Sequence, residues 1–419
     1  MDINNIILFE NNNTSDLYPF SIMHCSWELR TGVFRNCDRV QHLFPKVNLG
    51  FIGRALHIDS FIAREGLKNT IIDGNALLID GNAYINYDFP ELLESKLNSI
   101  GDKPIILTSN GKRFGCFIPE NYDFKSSLNS QNINLDDDVF KVYDEIEFPG
   151  IIQYNYLWET LDTVAENIAK DAKIVTKNYH RLYLPQFHGI HAHNPDNVLV
   201  GKNISISPNV LLDATDGPII LGDGVRIMPN STIIGPTSIG DNTIIKIGAK
   251  IYGNNIFGPH CKLGGEIENS IIQSYSNKQH DGYLGHSYIC EWVNLGADTN
   301  TSDLKNTYSE ITMELPHKSI NTGKIFVGLM CGDHTKSGIN SMFTTGTTAG
   351  ICGILVKEWF LPNYIKSYSW GGKSTSPVYK FDKAIETAKI VMARRNKSIT
   401  DEEIELMQIE YDKVRESQI

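Results

Sequence analysis

The chain lacks the cysteine pairs that would indicate a disulfide framework or a zinc knuckle. It has seven cysteines, an odd number, and none of them forms a CxxC pair. Isolated thiols without either pattern are typical of a reducing compartment. The sequence therefore predicts reduced thiols in a cytoplasmic protein. The seven residues are Cys25, Cys37, Cys116, Cys261, Cys290, Cys331 and Cys352.

Excess positive charge and long apolar runs are absent as well. Lysine and arginine number 38 against 49 aspartates and glutamates, giving a formal charge of −11. That balance argues against a nucleic-acid partner, although a local basic site for phosphate stays open. The apolar run Ile6–Phe9 is too short for a signal segment or a membrane span. We expect neither a nucleic-acid nor a membrane partner.

Glycine is missing from the loop after the first predicted strand. Residues 5–9 read as a buried strand, and the loop that follows, ENNNTSDLYPF, contains no glycine. Sugar nucleotidyltransferases hold phosphates there on the backbone N–H groups of a glycine-rich loop. The nearest basic candidates for a phosphate contact are Arg30 in ELRTG and Lys46 in FPK. An ordinary structural ion pair is the alternative for Arg30.

Strands and helices alternate over residues 1–190, which predicts an α/β domain with a largely parallel sheet. Ligands of such sheets bind beyond the carboxyl ends of the strands, which places residues 10–30 near any site. The predicted strands after the first are 47–52, 70–72 with 76–79, and 104–108. The predicted helices are 59–65, 90–97 and 157–171.

The segment IIDGNALLIDGN carries the oxygen ligands that Mg²⁺ prefers. Its candidates are Asp73, Asn75, Asp80 and Asn82, and Asn75 is the tentative metal contact. Each D-G-N triplet is also a good turn sequence, so the turn interpretation stays open. Further on, His188, His191 and His193 form H-x-x-H-x-H, but no cysteine or carboxylate lies close by in the sequence, which favours a linker over a metal site.

Apolar residues then recur every six positions, a period that fits neither a helix nor a plain strand. A hexapeptide β-helix repeats at six, because each six residues make one side of a triangular coil. Leu212–Pro218 interrupts the count, and a second run follows at Ile339, Thr345 and Ile351. The unbroken series is Leu221, Ile227, Ile233, Ile239, Ile245, Ile251, Phe257 and Leu263.

Between the two runs the pattern loosens, and this middle holds the most reactive side chains. His280 lies in NKQHDGYLGH, with His286 six residues later. Histidine accepts a proton near neutral pH, so an exposed base at His280 is predicted, with a core histidine as the alternative. Tyr283 is placed to contact a sugar or phosphate, and Asn294 to polarise a carbonyl.

These passages resemble a known family. QHDGYLG and NLGADT are similar to the acetyltransferase motif of the bifunctional enzymes that make UDP-N-acetylglucosamine, by uridylyl transfer in an N-terminal domain and acetyl transfer in a left-handed β-helix. The resemblance implies His280 as catalytic base and Tyr283, Asn294 and Lys250 as sugar-phosphate contacts. It implies Ala297 and Thr345 as contacts of acetyl-CoA.

A closer resemblance is to a variant branch of that family seen in Bacteroidetes-type bacteria, sugar nucleotidyltransferases with a hexapeptide-repeat acyltransferase domain. It rests on NIILF, ELRTG, GGEIE and GDHTKSGINSMFTTGT. It implies a homotrimer that uses acetyl-CoA, with Mg²⁺ if the nucleotidyltransferase is active, and a sugar phosphate or nucleotide sugar as ligand. Two departures stand out: the G-x-G-T-R loop is absent, and Asp298 replaces a motif glycine.

Three functions follow as hypotheses. The first is an amino-sugar-phosphate N-acetyltransferase joined to a nucleotidyltransferase domain that has lost its loop. The second is a sugar-1-phosphate nucleotidyltransferase whose β-helix only trimerises it. The third is a trimeric β-helix with a zinc site of the γ-carbonic-anhydrase kind, using histidines such as His280 and His286 across a subunit interface, although such zinc sites need three histidines.

The predicted domains are 1–190, the β-helix over 195–361 and a helical tail over 377–419. In the tail, helices are predicted from Phe381 and, after Thr400 as N-cap, from Asp401. They could cap the β-helix or pack across a trimer. Arg394 and Arg395 could reach the 3′-phosphate of coenzyme A, with a solvated helix face as the alternative.

Overall fold

The computed structural model describes residues 3–70, 72, 74–101, 103–122, 133–356, 360–372 and 377–417. Its first part is the predicted α/β domain, with strands β1–β8 at Asn5–Phe9, Asn48–Ile52, Ala76–Asp80, Ala83–Tyr84, Ile105–Ser109, Lys112–Ile118, Asp144–Glu147 and Ile152–Gln153. Its α-helices α1–α4 are Asn36–Leu43, Ala55–Glu65, Phe89–Ile100 and Val164–Val175. The short 3-10 helices in and after this domain are Thr14–Leu17, Phe20–Ile22, Ser26–Glu28, Asp138–Phe140, Leu157–Thr163, Leu184–Gln186 and Pro195–Asn197.

The main sheet has the order β2-β1-β3-β6-β5-β7. Strands β1, β2 and β3 are parallel, β6 runs antiparallel to both of its neighbours, and β5 and β7 are parallel to each other. The largely parallel sheet is therefore confirmed, with β6 and β7 as the strands of this sheet that sequence reasoning missed. A strand at 70–72 is wrong for Thr70 and Ile72, which are not in the sheet, and Ile71 lies outside the described residues.

A parallel β-helix follows, and each of its coils has three faces. Strands of the first face are Val198–Val200, Ile219–Leu221, Thr237–Ile239, Asn255–Phe257, Ile271–Ile272, Tyr288–Ile289, Leu329–Cys331, Thr347–Ala349 and Tyr364–Ile365, with His180–Arg181 added antiparallel at its start. Strands of the second face are Ser205–Ile206, Arg226–Ile227, Ile244–Ile245, Lys262–Leu263, Asn277–Lys278, Lys336–Ser337 and Ile354–Leu355. Strands of the third face are His191–His193, Leu211–Asp213, Thr232–Ile234, Lys250–Ile251, Glu266–Glu268, Tyr283–Gly285, Asn300–Thr301 and Met342–Phe343.

The hexad residues form the core of this β-helix. All eight members of the unbroken series are at most 1% exposed. Ile227 pairs with Ile245 and Ile245 with Leu263, so residues eighteen apart stack through the core. Apolar burial in such a column stabilises each coil only through its neighbours, as in other solenoids. The six-residue period is thus confirmed as one face per repeat.

The coil does not break up after Leu263, as the loosened pattern suggested. Strands continue through Asn277–Lys278, Tyr283–Gly285 and Tyr288–Ile289 in parallel register. The irregular part is an insertion between Thr301 and Leu329, which forms a hairpin of Thr312–Leu315 with Lys318–Asn321. The reactive-looking middle is therefore made of continuous though slightly shortened coils, with register partners fifteen to seventeen residues apart instead of eighteen, and the chain leaves the coil only after them.

A column of left-handed residues turns the chain between the first and second faces, at Asn203, Gly224, Asn242, His260, Tyr275, Trp292, His334, Cys352 and Tyr368. A left-handed conformation costs a bulky residue about 1 kcal/mol. Three of the contacts along this column are parallel ring stacks: His260 on Tyr275 at 5.0 Å, Tyr275 on Trp292 at 4.2 Å and Trp292 on His334 at 6.2 Å. Stacking worth about 1 kcal/mol per pair offsets that strain.

The α/β domain packs on the first face. Outward-pointing Ile220, Ile256, Ile271, Tyr288 and Met330 of that face are buried. They share one apolar cluster with side chains of the domain, among them Leu17, Phe20, Leu157, Trp158, Val164 and Ile168. Only the second and third faces are left free of the domain, which decides where a site on the β-helix can lie.

Two helices end the chain, α5 (Phe381–Ala393) and α6 (Asp401–Glu416). Thr400 caps α6 as predicted, because its hydroxyl accepts from Glu403 N–H while the Glu403 carboxylate accepts from Thr400 N–H. The helices pack on Met23 of the α/β domain and on Ile351, Cys352 and Tyr368 of the last coils. They cover one side of the β-helix and tie it to the α/β domain.

Candidate functional site

His280 lies at the vertex between the second and third faces and is exposed. Equivalent positions of the coil above lie seventeen residues later in the sequence. Asn277 forms a parallel β-bridge with Asn294, and Tyr283 N–H donates to Asn300 Oδ1 over 2.9 Å. Ala297 therefore occupies the equivalent vertex position directly above His280. In the described part of the chain, the His280 imidazole has no side-chain hydrogen-bond partner. The structure thus brings together His280, which the sequence predicted as a base, and Ala297, which it predicted as a contact of acetyl-CoA.

Asp298, which replaces a glycine of the family motif, is explained by the turn at this vertex. Its φ is 56°, in the left-handed region, like those of Asn209, Asn230 and Asn340 at the same vertex of other coils. Aspartate and asparagine tolerate this conformation better than other side chains. Its carboxylate accepts from Asn300 Nδ2 over 3.3 Å. The substitution keeps the turn.

The third face carries two of the predicted sugar-phosphate contacts. Lys250, Glu266 and Tyr283 are register partners on successive coils. Lys250 Nζ lies 3.3 Å from Glu266 Oε2 and is largely exposed. Lys250 is therefore on the same face as Tyr283 but two coils away from it, with an acidic side chain between them.

Tyr283 belongs to a hydrogen-bonded cluster that sequence reasoning missed. Its hydroxyl lies 2.9 Å from Asp303 Oδ2 and 3.2 Å from Glu268 Oε2, so its single proton is shared between two carboxylates, with Asp303 the nearer acceptor. His286 Nδ1 lies 2.7 Å from the same Asp303 oxygen, and the His286 ring stacks on Phe326 at 4.9 Å. Burial, with the charge of Asp303, raises the pKa of Tyr283.

Gly285 makes this cluster possible. A Cβ at that position would lie 2.2 Å from Asp303 Oδ2 and 2.3 Å from the Tyr283 hydroxyl. His286 and Asp303 are seventeen residues apart, which is the local coil period. That spacing is the signal by which the pair could have been found in the sequence.

Asn294 lies on the second face rather than the third. Its backbone forms parallel β-bridges with Asn277 of the coil below and Lys336 of the coil above. The side-chain oxygen of Asn277, Oδ1, accepts from Arg395 Nη2 over 3.2 Å. The C-terminal tail therefore reaches the second face through Arg395. Asn294 is three residues before Ala297, so the His280 vertex separates it from Tyr283.

Two other predicted contacts lie elsewhere. Thr345 is at the vertex between the third and first faces, where its hydroxyl is 2.7 Å from that of Ser302. Arg30 is buried between the α/β domain and the β-helix, donating from Nη1 to Val33 O over 2.7 Å and from its backbone N–H to the Tyr288 hydroxyl over 3.2 Å. Gly258 gives room to the Arg30 guanidinium, because a Cβ there would be 3.3 Å from Nε.

The carboxyl edge of the main sheet holds a second group of polar residues. Glu10, the first residue after β1, is fully buried. It accepts from Ser26 N–H over 3.1 Å, from Arg54 N–H over 2.9 Å, and from the Arg54 guanidinium at 2.8 and 2.9 Å. Arg54 is the N-cap of α2. A carboxylate of the protein thus occupies a helix N-terminus, the kind of place where phosphate binds in other folds.

Asp80 ends β3 beside Glu10, at the same edge. It accepts from Asn11 Nδ2 over 2.7 Å and from Gln153 Nε2 over 3.3 Å. Burial raises the pKa of Asp80 to about 7, although these hydrogen bonds act to lower it. Mg²⁺ in nucleotide sites takes one or two carboxylates plus substrate phosphates, so Asp80 fits that ion only together with a bound phosphate.

Asn75, the tentative metal contact, precedes β3 at the opposite edge of the sheet. Its side-chain oxygen accepts from Glu120 N–H over 2.9 Å. Asp73 lies outside the described residues. Across the ranges that the structure describes, no three His, Cys, Asp or Glu side chains are grouped so that they could hold a metal ion. His193 of the linker motif instead lies 3.3 Å from Asp213.

The architecture defines a class of protein, a sugar nucleotidyltransferase-type domain fused to a hexapeptide β-helix. Residues 6–180 match the family model described as sugar nucleotidyl transferase, and residues 218–253 match bacterial transferase hexapeptide, six repeats. The chain therefore carries both kinds of domain. No helix among the described residues is long and apolar enough to cross a membrane.

Curated relatives of the chain are bifunctional proteins by name. "Bifunctional protein GlmU" of Synechococcus elongatus is 28% identical over 160 residues, 38% of this chain and 30% of the relative. "Bifunctional sugar-1-phosphate nucleotidylyltransferase/acetyltransferase" of Sulfurisphaera tokodaii is 25% identical over 158 residues, 37% of this chain and 39% of the relative. The chain thus spans about a third of the length of the curated relatives it matches.

Among solved structures, a variant of AntD, an N-acyltransferase from Bacillus cereus in complex with dTDP and coenzyme A, aligns with 52% of this chain and 99% of its own. The identity is 13% and the TM-score is 0.21, too low to indicate a shared overall fold.

Proposed function

We propose that the protein is an amino-sugar-phosphate N-acetyltransferase that uses acetyl-CoA in nucleotide-sugar biosynthesis in the cytoplasm. Glucosamine 1-phosphate or a related sugar is the acceptor. The observation that carries the proposal is the exposed imidazole of His280 beneath Ala297, in the coil whose sequence resembles the acetyltransferase motif. The names of the curated relatives support it.

In the proposed reaction, His280 removes a proton from the acceptor amine as its nitrogen forms the bond to the acyl carbon. The C–S bond of the thioester breaks, and the proton ends on the departing thiol. Acetyl-CoA supplies the activated acyl group, with the Ala297 backbone at the vertex as its contact. The rigid coils supply the proximity of the two substrates. No cysteine is required, and all seven are buried.

The vertex that carries His280 is apolar above and below it. Ile247 is 61% exposed and Ile339 is 73% exposed at this vertex, and Val356 is 52% exposed close to it. A row of exposed apolar side chains on one edge of a monomer is unusual and indicates a protein contact. We propose that a second copy covers this edge in a homotrimer, so that His280 works in a cleft between subunits.

A second function, sugar-1-phosphate nucleotidyl transfer with the β-helix serving only for trimerisation, is favoured by the family model over residues 6–180. Asp80 at the carboxyl edge of the sheet fits a Mg²⁺-bound nucleotide. Glu10 works against it, because its carboxylate uses the N–H donors that a phosphate would need there. For the zinc hypothesis, His286 Nδ1 lies 2.7 Å from Asp303, and the described residues of one chain hold no group of three His, Cys, Asp or Glu that could bind a metal, so a zinc site would need histidines from a second subunit.

One pair of assays tests both functions. Release of coenzyme A is measured with acetyl-CoA and glucosamine 1-phosphate or a panel of amino sugars, and release of pyrophosphate with nucleoside triphosphates, Mg²⁺ and sugar 1-phosphates. We expect acyl transfer that falls about a hundredfold or more in His280→Ala. His191→Ala, an exposed histidine on the third face, is the matched control. An unchanged His280→Ala enzyme would refute the role of the base, and pyrophosphate release alone would favour the second function.

A further inference from the structure

A lysine occupies an apolar core position next to the proposed base. Leu263 pairs with Lys278 in register, and Ile245 pairs with Leu263 in the coil below. In the coil above, the corresponding residue is the buried Leu295. Lys278 is itself only 2% exposed. A buried lysine is rare, because taking an ammonium group out of water is costly unless it is well bonded.

The ammonium group of Lys278 is bonded to the turn that presents His280. Nζ donates to the backbone carbonyl of His280 over 2.8 Å and to that of Gly264 over 3.2 Å. Both carbonyls belong to the vertex between the second and third faces, on adjacent coils. Lys278 thus links the His280 turn to the turn beneath it.

The turn beneath is built to leave room for this link. Four residues separate Ile245 from Lys250 at this vertex, whereas only two separate Leu263 from Glu266. The shorter turn uses Gly265 at φ 74°. A Cβ on Gly265 would lie 2.7 Å from Lys278 Nζ and 2.6 Å from the His280 carbonyl oxygen. The deletion and the glycine together create the space that the ammonium group fills.

The lysine gains little from acidic neighbours. No carboxylate within the described ranges lies at ion-pair distance from Nζ. Asp281, Asp298 and Glu266 favour the charged form at longer range, and Lys250 opposes it. Burial lowers the pKa of Lys278 to about 8. An apolar side chain, as in the coils below and above, would serve the core better, so the reason for a lysine must lie in the turn.

We propose that Lys278 is a positioning residue for His280: its ammonium group fixes the His280 carbonyl and so holds the turn that aims the imidazole at the acceptor amine. This inference rests on the proposed acetyl transfer, in which His280 takes the proton. Lys278 acts through His280 and touches neither substrate. Fixing the backbone of His280 keeps its imidazole within hydrogen-bond distance of the acceptor amine, which proton transfer requires.

Lys278→Met tests the inference, because methionine fills the core without the two hydrogen bonds. Leu263→Met is the matched control, since it places methionine at the same core column one coil below. We expect kcat of Lys278→Met to fall between about tenfold and a hundredfold, with KM for acetyl-CoA within about twofold of the unsubstituted enzyme. The thermal midpoint should stay or rise, because replacing a buried charge by an apolar residue is often stabilising.

Two further readouts separate positioning from packing. The acid limb of the kcat–pH profile should move to higher pH in Lys278→Met, because a positive charge beside the His280 turn is removed. Amide hydrogen exchange at residues 279–282 should become at least about tenfold faster in Lys278→Met and stay unchanged in Leu263→Met.

The outcomes are distinct. A kcat of Lys278→Met within twofold of the unsubstituted enzyme, or an equal loss in Leu263→Met, overturns the positioning role. Absence of acyl transfer in the unsubstituted enzyme overturns the proposed function instead. Hydrogen exchange then decides whether Lys278 holds the turn: unchanged exchange at residues 279–282 overturns that, and faster exchange supports it.

Discussion

His24 of the α/β domain donates from Nε2 to Asp333 of the β-helix over 2.9 Å, with both side chains buried. Its other ring nitrogen, Nδ1, lies 3.2 Å from Glu28, which also accepts from Arg64. A histidine between two carboxylates donates from both nitrogens, as the imidazolium does. The contact is a buried charged junction between the two domains, whereas the ion pairs of Lys318 with Asp16 and of Lys324 with Asp162 join them at more exposed positions.

The junction predicts a stability that depends on pH. Burial acts to lower the pKa of His24, but Asp333 and Glu28 outweigh it and raise the pKa from 6.5 to about 10. Because the pKa of His24 is raised in the folded state, its ion pairs contribute fully to the free energy of unfolding below about pH 6.5. That contribution is lost as pH rises through about 10. We expect Asp333→Asn to lower the free energy of unfolding by about 3 kcal/mol at pH 6 and by less at pH 9.5.

Urea unfolding at the two pH values measures this. Asp196→Asn is the control, because Asp196 pairs with Arg181 at the surface with both side chains mostly exposed. A difference between Asp333→Asn and the unsubstituted chain that stays constant across this range would contradict the charged junction.

The cluster around Asp303 predicts an effect on acceptor binding. Asp303→Asn leaves both the Tyr283 hydroxyl and His286 Nδ1 with a poorer partner, so the weaker contact with Glu268 alone holds the Tyr283 hydroxyl and its orientation is less fixed. Hydrogen bonds to charged groups contribute about 1.5–3 kcal/mol, which corresponds to about tenfold to a hundredfold. We expect kcat/KM for the amino-sugar acceptor to fall by that factor, while KM for acetyl-CoA stays within about twofold.

Steady-state kinetics with each substrate varied in turn checks this. The control is Asp298→Asn, because asparagine suits the same left-handed turn and, within the described part of the chain, Asn300 is the one hydrogen-bond partner of the Asp298 carboxylate. An equal loss in both variants would mean that carboxylate charge near the vertex matters in general, rather than the Tyr283 contact.

The repeat was predictable because its cause is local. Each six residues carry one buried side chain, so Leu221, Ile227 and Ile233 reveal their faces in the sequence itself. Strand β1, helix α6 and the Thr400 cap follow equally from short-range pattern. Strand β6 was missed because KRFGCFI does not alternate cleanly, although Asn110-Gly111 before it is a typical hairpin turn, left-handed at both residues, that joins it to β5.

The site was less predictable, because it depends on contacts between coils. His260, Tyr275 and Trp292 take turn positions that usually hold asparagine or glycine, and only their stacking makes that affordable. From the sequence alone Lys278 would be taken for a surface lysine. Only its register pairing with Leu263 shows that it lies in the core. From the sequence Arg30 was a candidate phosphate ligand. In the structure the α/β domain packs on the first face and buries it.

Because the Glu10 carboxylate is already bonded to Arg54 and Ser26, we predict a purely structural role for the loop after β1. In Glu10→Gln the half-buried Arg54 guanidinium and two backbone N–H groups lose the buried carboxylate of Glu10, which should cost about 3 kcal/mol of unfolding free energy. Acyl transfer by the folded enzyme should stay within about twofold. Glu145→Gln, which breaks a more exposed pair with Arg113, is the control. A large gain of pyrophosphate release in Glu10→Gln would instead show that the carboxylate blocks a working phosphate site.

Ile339 offers a direct test of the apolar vertex. It is 73% exposed, so Ile339→Asp costs the monomer little, yet it places a charge in the proposed contact between copies. We expect the sedimentation of the variant to give a lower molecular mass than that of the unsubstituted chain. Acetyl transfer should be lost in parallel, because the second subunit no longer covers the cleft at His280. Ile390→Asp, at 60% exposure on α5, is the matched control and should change neither. Analytical ultracentrifugation with the coenzyme A release assay measures both, and a monomeric variant with full activity would show that each chain carries a complete site.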